Sequence, residues 1–196
     1  MLKTVLISVS DKQKLDFLVS GLRRVNPKIK IISSGGTAKK IRELGFDVTD
    51  VSEYTGYPEM PDGLVKTLHP MIHGGLLGDI SDDDQVSYME EHGIEPIDLV
   101  VCNLYPFEEV VRDGADLEIA RRNIDIGGPS MIRSAAKNFG RVCVVTDVDD
   151  YEKIIDELKE NSGEISKKTR FQMSIKAFER VEYYNRAIKE FMQRVR

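Results

Sequence analysis

The sequence predicts an α/β protein built on a mainly parallel β-sheet. Three observations point there. Five short apolar runs of strand character are separated by stretches of helical spacing. The first three runs are joined as strand–helix–strand–helix–strand, with crossovers long enough for parallel pairing. Several runs end in polar or glycine-rich residues, the usual lining of a ligand crevice beyond the carboxyl ends of parallel strands.

Residues 2–9 form the first strand and lead into Ser10, Asp11 and Lys12. Leu15, Leu18, Val19 and Leu22 then recur at helical spacing as far as Arg24. Residues 28–33 are the second strand. Ser34, Gly35, Gly36 and Thr37 follow, and residues 38–44 are a helix that Gly45 stops. Residues 46–51 are the third strand. Residues 52–77 break this rhythm and read as a long loop over the sheet with a short helix near 73–77. Loops of that length inside a compact domain are often functional.

Residues 82–92 are a polar helix, and residues 97–102 are the fourth strand, running into Asn103, Leu104, Tyr105, Pro106 and Phe107. Residues 107–112 and 117–122 are short helices. In 123–138 the chain turns through Gly127 and Gly128 and enters a helix at Pro129 and Ser130, where the missing proline N–H is harmless. Residues 141–146 are the fifth strand and 151–159 a helix. Phe171, Ile175, Phe178, Val181, Tyr184, Ile188 and Phe191 then follow at steps of three or four. They make one apolar stripe on a long last helix, which packs on the domain or forms an interface.

The 196 residues suit one good-sized core, and without repeats or a linker the expectation is a single domain over 1–196. A net charge of -5 argues against a general nucleic-acid binder. Cys102 and Cys143 sit in apolar strands without metal-ligand spacing, as buried small hydrophobes in a reducing compartment. The N-terminus lacks signal-peptide character and no run is long enough to span a bilayer, so a cytoplasmic protein is expected.

The polar strand ends converge on one edge of such a sheet, and the loop with Lys66 and Thr67 and the turn with Asp125 can fold over the same edge. The SSGGT turn leads straight into a helix and can cradle a phosphate, with Ser10 and Lys12 beside it. It is neither a Walker A loop nor a dinucleotide fingerprint, and a turn that merely caps a helix explains it too. His69 and His73 stand four apart without a third clustered ligand, so they read as hydrogen-bonding braces of the loop rather than as a zinc site. Tyr105 is a core tyrosine or, at a strand end, a proton donor. Asp125 precedes a helix start and Lys137 stands on its last turn; a tight turn into a packed helix explains the glycines and alanines between them but not this bracketing.

SVSDK at 8–12, SSGGTAK at 33–39, TGYPEMPDGLVKTLHPMIHGG at 55–75, VVCNLYPF at 100–107, NIDIGGPSMIRSAAKN at 123–138 and AFERVEYYNRAI at 177–188 resemble the inosine monophosphate cyclohydrolase domain of the bifunctional purine-biosynthesis enzyme. The resemblance covers nearly the whole chain in order. It implies a methylglyoxal-synthase-like fold, three layers around a doubly wound parallel sheet, with a long C-terminal helix. Two departures stand out. The transformylase domain expected near residue 196 is missing, so the chain is a free-standing cyclohydrolase beside a separate AICAR transformylase or a piece cut at the boundary. The family commonly has Leu and Arg where this chain has Pro61 and Leu64, and an aliphatic Leu64 gives up a nucleotide contact.

The implied reaction is dehydrative closure of the second purine ring, 5-formamidoimidazole-4-carboxamide ribotide (FAICAR) giving inosine monophosphate (IMP) and water, with no metal or other cofactor. By resemblance, Lys137 donates to the formyl oxygen, Asp125 accepts from the carboxamide N–H, and Lys66 and Tyr105 flank the base and assist proton transfer. Ser10, Asp11, Lys12, Ser34, Gly35, Gly36 and Thr37 form the phosphate and ribose side. Leu64, Thr67, Cys102, Asn103, Ile126 and Gly127 line the pocket. A homodimer is a further expectation, from the family and from the stripe on the last helix. The readings weighed against this one are methylglyoxal synthase, of the same fold, and a non-catalytic nucleotide-sensing domain; the presence of Lys66, Tyr105, Asp125 and Lys137 together speaks against the second.

Overall fold

A computed structural model describes residues 1–105, 107–112 and 114–195. Pro106, part of the expected aromatic turn, lies outside the described residues. Five strands form one sheet in the order β3-β2-β1-β4-β5: β1 (Thr4–Val9), β2 (Lys30–Ser33), β3 (Thr49–Asp50), β4 (Leu99–Asn103) and β5 (Cys143–Val145). Every pairing is parallel, with Val5 level with Ile31 on one side and Leu99 on the other. The chain builds outward from β1 to β3, then crosses back to place β4 and β5 on the other side. That reversal is the topological switch of a doubly wound sheet, and it opens a crevice at the carboxyl ends of the strands.

The strands are buried on both faces, so their side chains divide between two cores. Val5, Ile7, Val9, Leu99 and Val101 meet α1 (Leu15–Val25) and α9 (Tyr151–Glu160) through Leu15, Leu18, Leu22, Ile154 and Leu158. Leu6, Val100, Cys102 and Val144 meet α4 (Pro70–Leu77), α8 (Gly127–Lys137) and α10 (Lys167–Arg194) through Ile72, Met131, Ile132, Ala135, Ala177 and Val181. Alanines at 135, 136 and 177 let α8 and α10 approach closely. The remaining helices are α2 (Gly35–Glu43), α3 (Val51–Thr55), α5 (Asp83–Glu91), α6 (Phe107–Arg112) and α7 (Leu117–Arg122).

The expected elements are present, with shifted bounds. The third strand shrinks to two residues because Phe46 and Val48 pack only partly against the core and Val51 already starts α3. The 52–77 stretch is more ordered than expected: it holds the end of α3, a 3₁₀ turn at Pro61–Gly63 and all of α4. α2 and α8 start at Gly35 and Gly127, inside the glycine turns rather than after them. The apolar stripe of α10 divides. Val181, Tyr184 and Phe191 are buried with Met173 and Ala177, whereas Phe171, Ile175 and Phe178 face outward.

Candidate active site

Three turns meet beyond the strand ends, and each is held in a way that leaves polar groups free. The first follows β2. Ser34 is the N-cap of α2 in extended conformation, yet its hydroxyl makes no capping hydrogen bond. Gly35 has φ +52, and a Cβ there would lie 3.0 Å from Lys66 Nζ, so the position needs glycine. The first-turn N–H groups of a helix have no intrahelical acceptor, which suits them to an anion. Lys12 stands on the other flank: its ammonium donates to the Val9 and Ser10 carbonyls at 3.4 and 3.2 Å, and a Cβ on Gly36 would be 3.9 Å from it. Two ammonium groups thus flank one helix start.

Thr37 serves the scaffold. Its buried hydroxyl donates to Val9 O at 3.0 Å and accepts from Val9 N–H at 3.1 Å, tying α2 to β1. Asn103 does the same for the loop after β1. Its Oδ1 accepts from the Ser10 and Asp11 N–H groups at 2.7 and 2.9 Å, and its Nδ2 donates to Asp11 O at 3.0 Å. Asp11 in turn accepts from Gln13 N–H at 2.8 Å, which bends the loop.

The second turn is the loop from Gly56 to His69. Asp62 and Val65 have φ +59 and +67. A β-branched residue in the left-handed region is a strained placement, and it lies directly before Lys66. The Lys66 ammonium is ion-paired with Glu59. Thr67 is buried, and a Cβ on Gly127 would lie 2.7 Å from its Oγ1, so this loop presses on the start of α8. His69 Nδ1 accepts from Met71 N–H at 3.2 Å, and His73 Nδ1 lies 3.0 Å from Ser134 Oγ on α8, so both histidines brace the loop. Burial holds the His73 imidazole below its usual pKa.

The third turn carries Asp125. Its N–H donates to the Tyr184 hydroxyl at 2.7 Å, and its Oδ1 accepts from Gly128 N–H at 2.9 Å. A carboxylate at a helix start is electrostatically favoured. A Cβ on Gly128 would lie 2.4 Å from Asp125 Oδ2, so only glycine lets the carboxylate fold back onto α8. Cys102, expected to line the pocket, is buried in the core and is not among the residues that line the cavity of Lys66 and Asp125; burial, reinforced by the Asp125 charge, pushes its thiol far up, so it stays neutral. Tyr105 is exposed past the end of β4.

Ser34, Leu64, Lys66, Thr67, Asp125, Ile126 and Gly127 line one cavity of about 450 Å³, a size that suits a small ligand. Leu64 and Ile126 stand exposed at its mouth. Ser10, Asp11 and Asn103 instead line a second cavity of about 740 Å³. Lys137 is not brought to this place. It is exposed at the last turn of α8, while Asp125 sits before the first, about 15 Å along an eleven-residue helix. The sequence bracketing of α8 by an acid and a base therefore does not make a pair in space. Two contributors had no signal in the sequence reading: Glu59, whose contact with Lys66 is made only by the folded loop, and Tyr184, which stood in the apolar stripe with its hydroxyl unassigned.

Comparison with known proteins agrees with this architecture. The MGS-like domain pattern matches residues 15–130, and the AICARFT/IMPCHase bienzyme pattern matches residues 135–196. The bifunctional purine biosynthesis protein PurH of Xanthomonas oryzae pv. oryzae (strain PXO99A) is 53% identical over 194 residues, 98% of this chain and 36% of that protein. PurH of Xanthomonas campestris pv. campestris (strain 8004) is 52% identical over the same shares. The chain thus spans about a third of the length of these curated relatives. The crystal structure of ForH superposes with a TM-score of 0.85 at 30% identity, covering 98% of this chain and all of that one. With its five parallel strands, its glycine turns at the strand ends and a family pattern over more than half its length, the chain belongs to the MGS-like domain family.

Proposed function

We propose that this chain, as a single domain over 1–196, is an IMP cyclohydrolase that closes the second ring of the purine, converting FAICAR to IMP and water. The observation that carries the reading is the meeting of Lys66, Thr67, Ser34 and the Asp125 turn around one cavity beside a doubly lysine-flanked helix start. The similarity to PurH over 98% of the chain supports it.

The chemistry is acid–base and dehydrative. The carboxamide nitrogen attacks the formyl carbon, the formyl oxygen gains charge, and a carbinolamine forms. The nitrogen then sheds a proton, and the hydroxyl leaves as water. An amide nitrogen is a weak nucleophile, so the site has to hold nitrogen and carbon in near-attack geometry. The helix start of α2, with Ser34, Lys12 and the glycine N–H groups, fixes the phosphate. Lys66 is the ammonium that lines the cavity, placed to stabilise the oxygen and later to protonate it. Asp125 uses one oxygen on Gly128 and offers the other to the carboxamide N–H. Tyr105, exposed past the end of β4, is a further candidate proton donor. Lys137, at the far end of α8, takes none of these roles. The formylated substrate comes from an AICAR transformylase activity, and the reaction runs in the cytoplasm.

The test is an absorbance assay of ring closure with purified protein and the formylated ribotide, no cofactor added. Turnover to IMP supports the reading; tight nucleotide binding without turnover overturns it.

A further inference from the structure

Lys66 lines two cavities. One is the cavity of about 450 Å³ that Thr67 and Asp125 also line. The other, of about 270 Å³, is lined by α3 and by Tyr57, Glu59 and His69. Glu59 borders the second and not the first, and Asp125 borders the first and not the second. A ligand in the first cavity would therefore meet the Lys66 ammonium without meeting the carboxylate that is paired with it.

The ammonium sits in a slot between two glycines. A Cβ on Gly63, at φ +70, would lie 2.6 Å from Lys66 Nζ and 3.3 Å from Glu59 Oε1. A Cβ on Gly35, at the start of α2, would lie 3.0 Å from the same nitrogen. A lysine stem is long and rich in rotamers, so a slot holds it only if something anchors its tip. Among the described residues, Glu59 is the one carboxylate in ion-pair contact with Lys66. Asp50, which borders the second cavity, is taken by Arg42, and Asp125 accepts from Gly128 N–H. The Glu59–Lys66 pair is open enough to water to add little to stability, so its main effect is on where the nitrogen stands.

We propose that Glu59 is the positioning residue of Lys66, holding its ammonium in the glycine slot where it faces the cavity that Asp125 lines. The effect on turnover rests on the cyclohydrolase reading; the holding of the ammonium does not. Glu59→Gln keeps the size of the side chain and removes its charge. Turnover in the ring-closure assay is expected to fall by about tenfold to a hundredfold, with the Michaelis constant within a few-fold and unchanged circular dichroism. Glu59→Asp, which keeps the charge, is expected to recover part of that loss. In a Lys66→Met background Glu59→Gln is expected to cost nothing more, because no ammonium is left to hold. Trace acetylation with acetic anhydride, read by peptide mass spectrometry, reports on the ammonium without any turnover. Labelling of Lys66 relative to the exposed Lys28 is expected to rise up to about fivefold in Glu59→Gln. Glu59→Gln turnover within about twofold of the parent, its full loss repeated on top of Lys66→Met, or unchanged Lys66 labelling overturns the proposal. A parent protein without turnover overturns the cyclohydrolase reading instead, and the labelling then decides alone whether Glu59 holds Lys66.

Discussion

Replacing Lys66 with Met is expected to abolish most turnover and leave the fold standing. Lys66 and its partner Glu59 keep 24% and 44% of their side-chain surface exposed. An ion pair that open to water contributes no more than about 1 kcal/mol, and Met keeps the aliphatic stem. For a chain of this length such a loss lowers the melting temperature by about 2–4 °C at most. The effect on chemistry is of another size. Removing one preorganised donor from a developing oxyanion costs about 10²–10³-fold in turnover, roughly 2.7–4 kcal/mol. The two effects separate in one preparation, by the absorbance change of ring closure at saturating substrate and by a thermal melt. A Michaelis constant within a few-fold of the parent would place the loss in the transition state. Turnover within about tenfold of the parent refutes the reasoning. So does a loss of activity that tracks a melting drop well beyond the ion pair's worth, because Lys66 would then be a structural residue.

Asp125→Asn keeps an acceptor for Gly128 N–H, so the start of α8 should hold while turnover falls by about 10²–10⁴-fold; unchanged turnover in the ring-closure assay would remove the base from this position. Lys12→Ala should weaken binding of IMP by about 1–3 kcal/mol and leave inosine nearly untouched in calorimetry; equal losses would move the phosphate elsewhere. Thr37→Val leaves two Val9 backbone groups without the hydroxyl and should cost about 1–3 kcal/mol in urea unfolding. His73 has its folded pKa below the usual 6.5, because burial disfavours the charged ring. Its contribution to stability is therefore complete above pH 6.5 and lost as the pH falls through the lowered folded value. His73→Gln should flatten that acid-side decline in urea midpoints measured from pH 8 to pH 5, and an unchanged profile would assign the decline to other groups.

The sheet was legible because burial on both faces writes strands as unbroken apolar runs, and the runs at Val5, Ile31, Val100 and Val144 are of that kind. The short edge strand was harder, since Phe46 and Val48 carry β propensity without full burial to enforce it. Periodicity found the stripe of α10 but not its direction. The side that packs on α8 uses Ala177 and Val181 for close approach, while the bulkier Phe171, Ile175 and Phe178 look outward, against the usual reading of large apolar residues as core. In the site, the glycine turns and Lys66 were readable from residue type and position. Division of labour was not. Thr37 and Asn103 look like ligand contacts in sequence and turn out to hold backbone, because the hydrogen bonds that occupy them come from β1 and from the loop after it, some 28 and 93 residues away. The same distance in sequence hid Glu59 from Lys66 less, at seven residues, but only a folded loop with Val65 in the left-handed region turns one toward the other.

The hydrogen bond from Asp125 N–H to the Tyr184 hydroxyl spans 59 residues, and it sets an order of events during synthesis of the chain. On the ribosome β1 and β2 emerge early and can pair, but β1 is central and waits for β4 to cover its second edge. The Asp125 turn emerges after that, still without its tether. Only when the chain has been extended through α10 does Tyr184 arrive to fix the turn's backbone. The turn that carries Asp125 is thus tied down only once α10 has been made, and nascent chains stalled before residue 184 would carry a finished sheet with an untethered carboxylate.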